Sequence, residues 1–231
     1  MSKQDNCVWY KDVCQLYNTD DCKSTCIRFM EMNRLCELSN IPKNKWKLPQ
    51  LYCTDKDKKS FKQLGKIKND IVNFVNNGDN LYLYSEYTGN GKTSWAIRLM
   101  LSYFNNIWSG NGFKCRGVFI SVPDFLFKQK EIINNFDNSF SELKKQILSA
   151  DLVIWDDIAV TSLTQYEHQL LLTFIDNRIL NNKANIYTGN SNKEVLDKYL
   201  GLRLSSRVWN TSLHIQLCEQ DKRRLECAYN D

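Results

Sequence analysis

The segment 81–95 constrains the fold of this chain more than any other. It starts with a short apolar run, continues with a turn that contains Gly89 and Gly91, and reaches Lys92 and Thr93 before a stretch with helical spacing. Glycine lets a backbone approach an anion closely, and the N-terminus of the following helix carries partial positive charge. A strand, a glycine-bearing turn and a helix in this order predict a loop that binds phosphate groups.

The chemistry of this loop favours a nucleoside triphosphate such as ATP over a purely structural turn. Successive backbone N–H groups of residues 89–93 can surround the phosphates, the Lys92 ammonium suits the β- and γ-phosphates, and the Thr93 hydroxyl suits Mg²⁺. Glu86 stands where the usual pattern has its first glycine, and we expect it to lie away from the phosphates. The predicted nucleotide-binding residues are Thr88, Gly89, Asn90, Gly91, Lys92, Thr93, Ser94 and Asp156.

Apolar runs alternate with helical patterns along most of the chain. We expect strands at 81–84, 117–122, 151–155, 184–188 and 211–218, and helices at 60–76, 92–105, 123–134, 140–148, 165–180, 193–199 and 202–209. This alternation predicts an α/β fold with a parallel sheet covered by helices on both faces. The expected organisation is a cysteine-rich module at 1–53, a basic linker at 54–68 that runs into a helix, and a nucleotide-binding α/β domain at 69–231.

Composition limits the cellular setting of the 231-residue chain. Hydrophobic residues make up 42% and charged residues 25%, and no apolar run approaches the 18 residues of a membrane span. The polar start of the sequence has no apolar core of a secretory signal, so we expect a cytoplasmic protein with no membrane partner. A net charge of +5 permits contact with nucleic acid without requiring it.

Polar residues follow two of the predicted strands. Asp156 and Asp157 end the run 152–157, and Asn190 follows the strand at 184–188. Ligands of open α/β sheets bind at the carboxyl ends of the strands. Asp156 can therefore hold Mg²⁺, Asp157 can orient and deprotonate a water molecule, and Asn190 can reach the γ-phosphate or that water. The alternatives are an acidic N-cap for the next helix and a simple turn.

Arg207 is a fourth candidate and lies late in a predicted helix before the last strand. An arginine there could complete the site of a neighbouring subunit by stabilising charge in the transition state. The alternative is a surface arginine on a solvated helix face.

Nine cysteines are unevenly distributed, and four of them fall within twenty residues: Cys7, Cys14, Cys22 and Cys26. In a reducing compartment such a cluster favours a metal, and four thiolates form a closed Zn²⁺ site. The spacings are not paired C-x₂-C motifs, so buried free thiols and disulfides remain alternatives, and Cys36 or Cys53 could replace one ligand.

The phosphate loop, the acid pair, the 188–190 segment and the 205–208 segment, in this order, resemble the AAA+ ATPases. The chain more closely resembles the DnaC/DnaI-type helicase loaders, in a version similar to those carried by bacteriophages of Gram-positive hosts. The resemblance implies that residues 69–231 form an AAA+ ATPase domain without a separate lid. The resemblance implies an ATPase that delivers a hexameric DnaB-type helicase onto single-stranded DNA during replication initiation. It also implies that the front module contacts the helicase. In addition, it implies self-association through nucleotide-bridged interfaces, in which Arg207 is the arginine finger.

Three rival functions remain open. An IstB-like AAA+ regulator of transposition shares the ATPase core but binds duplex DNA. A small-molecule kinase also has a phosphate loop, although the order of Asn190 and Arg207 does not favour it. A binding module without catalysis is disfavoured by the two carboxylates.

Overall fold

The computed structural model describes residues 7, 19, 20, 22, 23, 26–46, 51, 53–109, 114–135 and 139–218. The described helices are α1 (Ile27–Leu38), α2 (Lys58–Asn69), α3 (Ile71–Asn76), α4 (Lys92–Ile107), α5 (Val122–Asn135), α6 (Ser139–Ser149), α7 (Gln165–Leu180) and α8 (Lys193–Asn210). The strands are β1 (Asn80–Tyr84), β2 (Gly117–Ser121), β3 (Leu152–Asp156), β4 (Ala184–Gly189) and β5 (Ser212–Gln216). Among the described residues, no helix has both the length and the apolar composition needed to span a membrane.

The five strands form one parallel sheet in the order β2-β3-β4-β1-β5. β4 therefore lies between β1 and β3, and the carboxyl ends of these three strands are neighbours. The sequence places the phosphate loop after β1, the acid pair at the end of β3 and Asn190 after β4. The topology thus brings three separate sequence motifs to one edge of the sheet, as the predicted α/β fold requires.

Alternating side chains of the strands enter two different cores. Leu81 and Leu83 of β1 pack on one face with α1, α2, α3 and α4, whereas Tyr82 packs on the other face with α5, α6, α7 and α8. β1, β3 and β4 are buried on both faces, which explains why they are nearly continuous apolar runs in the sequence.

The two short helices expected at 193–199 and 202–209 both lie within α8, which is divided at Gly201 by a non-helical φ of 71° and ψ of 156°. Two other expected elements differ from the structure. The helix expected at 60–76 is divided at Asp70, whose φ of −114° and ψ of 27° interrupt the helical backbone. The strand expected at 117–122 ends at Ser121 because Val122 already begins α5.

Helix α1 packs onto the core on one face of the sheet. Met32, Leu35 and Cys36 of α1 belong to the same buried cluster as α4, and the segment expected as a basic linker becomes helix α2 from Lys58 onward. The domain boundaries themselves stay a prediction.

Candidate functional site

The loop between β1 and α4 takes its shape from two glycines. Gly89 and Gly91 have φ values of 72° and 96°, in the left-handed region that side chains disfavour. Asn90 between them is buried, and its side-chain amide donates to Ser85 Oγ. Glu86 lies exposed just after the strand. The loop therefore keeps its turn beside α4 although its first glycine is replaced.

Lys92 begins α4 and is only 6% exposed. Its Nζ donates to the Tyr87 carbonyl at 2.9 Å and to Asn90 Oδ1 at 3.2 Å. Both acceptors are neutral oxygens of the loop itself. A phosphate that enters the loop would offer charged oxygens to the same ammonium, and charge-assisted hydrogen bonds are about twice as strong as neutral ones.

Asp156 ends β3 as a buried carboxylate. Its Oδ1 accepts hydrogen bonds from Thr93 Oγ1 at 2.9 Å and from Thr188 Oγ1 at 2.6 Å. Burial raises the pKa of Asp156, and the charge of Asp157 raises it further, while the two hydroxyls and the charge of Lys45 oppose this shift. A buried carboxylate next to a hydroxyl and a second acid provides the hard oxygen ligands that Mg²⁺ prefers.

Asp157 has a left-handed backbone with a φ of 57°. Its N–H donates to Thr188 Oγ1 at 3.0 Å, and the N–H of Ile158 donates to the Thr188 carbonyl at 3.0 Å. Thr188 of β4 thus fixes both acids at the exit of β3. The sequence interpretation named the segment around Thr188 but gave a role only to Asn190; the missed signal was a hydroxyl at a strand end beside an acid pair.

Asn190 lies half-buried directly after β4. The preceding Gly189 passes so close to β1 that an added Cβ would lie 2.6 Å from Tyr82 Oη. Tyr82 in turn donates to the Ser191 carbonyl at 2.7 Å. The exit of β4 is therefore held against β1, and Asn190 stays at the edge that carries the phosphate loop.

Three predicted site residues remain: Thr88 and Ser94, which are expected to bind the nucleotide, and Arg207, which is expected to act as an arginine finger. Thr88 is exposed in the loop, and Ser94 is half-buried in the first turn of α4. Arg207 lies on α8, where its 44% exposed side chain pairs with Asp176 of α7. Arg203, one helical turn earlier, faces the same carboxylate at 4.0 Å. A role for Arg207 at a neighbouring subunit stays a prediction.

The cysteine cluster does not form a recognisable metal site in the part of the chain that the structure describes. No group of three or more Cys, His, Asp or Glu side chains is placed there to hold a metal ion. Cys7 is buried and Cys22 and Cys26 are half-buried, whereas Cys14 lies outside the described residues. Of the substitutes, Cys36 is buried with a pKa raised by that burial, and Cys53 is exposed. Zinc therefore stays a prediction.

Three comparisons with known proteins place this geometry in a family. The replicative helicase loader DnaC of Escherichia coli strain K12 is 25% identical over 130 residues, which cover 55% of this chain and 49% of the loader. The chain thus spans about half the length of the curated relatives it matches. A crystal structure of the DnaC helicase loader aligns with a TM-score of 0.63 at 19% identity, covering 76% of this chain and 99% of that one.

A crystal structure of DnaI aligns with a TM-score of 0.55 at 16% identity and covers 78% of this chain and 92% of that chain. These structural likenesses, at low identity, establish a shared fold. The family model described as IstB-like ATP binding protein matches residues 25–204, which is more than half of the sequence and includes the phosphate loop and the acid pair. The chain therefore belongs to the IstB-like ATP-binding proteins, an AAA+ family, and the DnaC helicase loaders are its homologues at 25% identity.

Proposed function

We propose that this protein is an ATPase that loads a DnaB-type replicative helicase onto single-stranded DNA. The observation that carries the proposal is the contact between Thr93 of the phosphate-binding loop and Asp156 of β3, 2.9 Å apart at the carboxyl edge of the sheet. The hydroxyl and the carboxylate come from motifs 63 residues apart. Their convergence beside Lys92 supports a site for a polyphosphate with its divalent cation.

Each residue of the site has a defined role in this proposal. Lys92 and the backbone N–H groups at the start of α4 hold the phosphates, and Thr93 and Asp156 would hold Mg²⁺, which neutralises phosphate charge when bound. Asp157 accepts the proton of the attacking water, and Asn190 positions that water. The ATP-binding family and the DnaC relatives support this assignment.

The proposed ATPase mechanism includes self-association of the protein. Arg207 of one subunit would reach the nucleotide of the next and stabilise the charge that develops during transfer. The 44% exposure of its side chain supports a role at an interface, because the arginine can leave Asp176 without breaking a buried ion pair. ATP would then join neighbouring loaders, and hydrolysis would separate them and release the helicase.

The front module would provide the helicase contact. Cys7, Cys14, Cys22 and Cys26 are proposed as its Zn²⁺ ligands, and metal analysis of the purified chain tests this, since protein without zinc excludes the site. A loader from a bacteriophage of a Gram-positive host, which the resemblance implies, would act in the host cytoplasm.

Two substitutions test the nucleotide chemistry. Lys92→Ala should weaken ATP binding by about tenfold to a hundredfold, because charge-assisted hydrogen bonds to phosphate are lost. Arg207→Ala should leave binding unchanged and lower turnover by about a thousandfold. Arg203→Ala is the matched control, because Arg203 lies on the same helix and faces the same Asp176. Equal ATPase rates for the wild type, Lys92→Ala and Arg207→Ala would reject the proposal.

The family match favours one second function, a transposition regulator that binds duplex DNA in the manner of IstB. Co-purification with a DnaB-type helicase, with and without ATP, separates the two functions. ATP-dependent capture of the helicase supports loading. Tight binding to duplex DNA without helicase capture supports the regulator instead.

A further inference from the structure

Positive charge is concentrated in one short segment of the chain. Residues 56–68 contain six lysines and a single acid, Asp57, and therefore carry a formal charge of +5. The whole 231-residue chain has the same net charge of +5, so the charges of all other residues cancel. Asp57 is fully buried, and its Oδ1 accepts from the N–H of Cys218 at 2.7 Å. The acid of the segment thus points into the protein, and the exposed charges of the segment are all positive.

Three of these lysines form a row along the outer face of α2, which we call the lysine row: Lys59, Lys62 and Lys66. With about 3.6 residues per turn, they lie within about 60° of one another around the helix and extend over about 10 Å along it. All three side chains are exposed. Among the described residues no carboxylate pairs with any of them, whereas the neighbouring Lys58 pairs with Asp55 at 2.6 Å.

The opposite face of α2 fixes the lysine row to the core. Leu64 is fully buried, and the ring of Phe61 meets that of Trp95 in α4 edge-on, with centroids 5.1 Å apart. Near the start of the helix, Ser60 Oγ donates to the Gln216 carbonyl at 2.6 Å. Because the apolar side of α2 is already packed against the protein, it is not available to a membrane. The lysine row is therefore presented to solvent from a fixed position.

The lysine row is unfavourable for the helix by itself. Lys62 lies four residues from both Lys58 and Lys66, and like charges at this spacing repel each other on a helix surface. Helix α2 contains no acidic residue that could alternate with its lysines and reduce this repulsion. A ligand with a row of negative charges would remove the repulsion.

We propose that the lysine row binds the phosphate backbone of single-stranded DNA. A nucleic-acid strand carries a negative charge at every nucleotide, and lysine binds phosphate as a point charge. Protein interfaces, in contrast, are depleted in lysine and enriched in aromatic residues and arginine, which the row lacks. The choice of single-stranded DNA rests on the proposed function, and the inference adds a contact surface outside the nucleotide site.

Binding of an unstructured single-stranded oligonucleotide at several salt concentrations tests the lysine row. The combined change Lys59→Gln, Lys62→Gln and Lys66→Gln should weaken binding by on the order of tenfold to a hundredfold at about 0.1 M salt, because three phosphate contacts are lost. The slope of log affinity against log salt concentration should become shallower by about 2. Glutamine and lysine have similar helix propensities, so α2 should stay folded, which thermal unfolding verifies.

A second triple variant is the matched control. Lys43→Gln, Lys114→Gln and Lys198→Gln change three exposed lysines outside α2 and lower the net charge equally. This variant should lose much less affinity and should keep the salt dependence of the wild type. Equal losses in the two triple variants would overturn the inference. Unchanged affinity of the row variant for the oligonucleotide, or weaker binding of duplex DNA alone, would overturn it as well.

ATPase activity without DNA and capture of a DnaB-type helicase separate this inference from the proposed function. Both should be unchanged in the row variant, because the lysine row lies outside the nucleotide site. Lost helicase capture with unchanged DNA binding would assign the row to a protein partner and overturn the inference. A wild type that does not capture the helicase would reject the proposed loading, while the oligonucleotide measurement would still decide the role of the row.

Discussion

The two ends of strand β3 carry aspartates with opposite surroundings. Asp151, just before the strand, is bound by Arg116 Nε at 2.5 Å, Lys183 Nζ at 3.0 Å and Tyr103 Oη at 3.1 Å. Asp156, at the other end, is buried and accepts hydrogen bonds from two neutral hydroxyls. The amino end of the sheet satisfies its charges internally, whereas the carboxyl end keeps a carboxylate whose charge a bound cation would relieve.

The same contrast extends to the buried cations. Arg178 is fully buried at the amino end, where it donates to Asn185 Oδ1 at 2.7 Å and to the carbonyls of Ile147 and Ala184 at 2.6 Å each. Burial lowers its pKa to about 10, so it stays charged at neutral pH. Lys92 at the carboxyl end donates to two oxygens of the loop itself, the Tyr87 carbonyl and Asn90 Oδ1. The amino end of the sheet therefore stabilises the fold, and the carboxyl end carries the proposed ligand site.

Replacing Arg178 should produce the largest loss of stability. Arg178→Met leaves several buried carbonyl oxygens without donors and should lower the free energy of unfolding by about 4 kcal/mol, as measured by chemical denaturation. Arg203→Met removes an exposed arginine from the same protein and should change it by less than about 0.5 kcal/mol. Similar losses in both variants would contradict a stabilising network at the amino end.

Adding a methyl group at Gly189 should lower the free energy of unfolding by an intermediate amount and should also disturb the proposed nucleotide site. Gly189→Ala places a Cβ 2.6 Å from Tyr82 Oη and should cost about 2 kcal/mol of unfolding free energy through overpacking. Because Tyr82 holds Ser191, the neighbouring Asn190 should shift and ATP turnover should fall. Gly65→Ala in α2 is the control: nothing lies within 4 Å of its added Cβ, and the helix should gain about 1 kcal/mol.

The two aspartates of β3 should give small effects of opposite sign. Asp151→Asn should lower the free energy of unfolding by about 1 kcal/mol, since Arg116 and Lys183 lose a charged partner. Asp156→Asn should raise it by on the order of 1 kcal/mol, because the amide oxygen can still accept from Thr93 and Thr188 without a buried charge. Binding of Mg²⁺–ATP should be weakened only by the second change. Changes of the same sign in both variants would remove the distinction between the two ends.

The pH dependence of the Asp156 effect follows from its raised pKa. A carboxyl whose folded-state pKa lies above its ordinary value of 3.8 stabilises the fold below that value, and this contribution is lost as the pH rises through the folded-state pKa. The stability advantage of Asp156→Asn should therefore be small near pH 3.8 and grow toward neutral pH. Denaturation of both proteins over this range measures it, and an advantage that shrinks with pH would contradict the raised pKa.

The apolar runs of the sequence predict all five strands to within about two residues, because parallel strands buried on both faces carry a strong local signal. The glycine-bearing turn at 89–93 and the acid pair at 156–157 are also visible in the sequence, because the residues of each motif are adjacent along the chain. Arg178 is different: an isolated arginine in a helical pattern usually indicates a solvated surface, and its buried acceptors come from other elements.

Other features of the fold could not be predicted from the sequence because they depend on long-range contacts. Asp57 accepts a hydrogen bond from the N–H of Cys218, 161 residues further along the chain. A lysine-rich stretch without a local pattern resembles a linker in the sequence, so its contacts with the core appear only in the fold. The break at Asp70 is likewise invisible to helical periodicity, which continues through it.

The left-handed backbone at Asp157 restricts how this position can vary. Asparagine and glycine adopt such a conformation readily but lack a carboxylate. Glutamate retains the acid, yet the strained backbone adds a cost of about 1 kcal/mol, and its longer chain moves the carboxyl group. Position 157 therefore has to satisfy both the left-handed main chain and the proton transfer proposed for its side chain, and aspartate is the residue that meets both requirements.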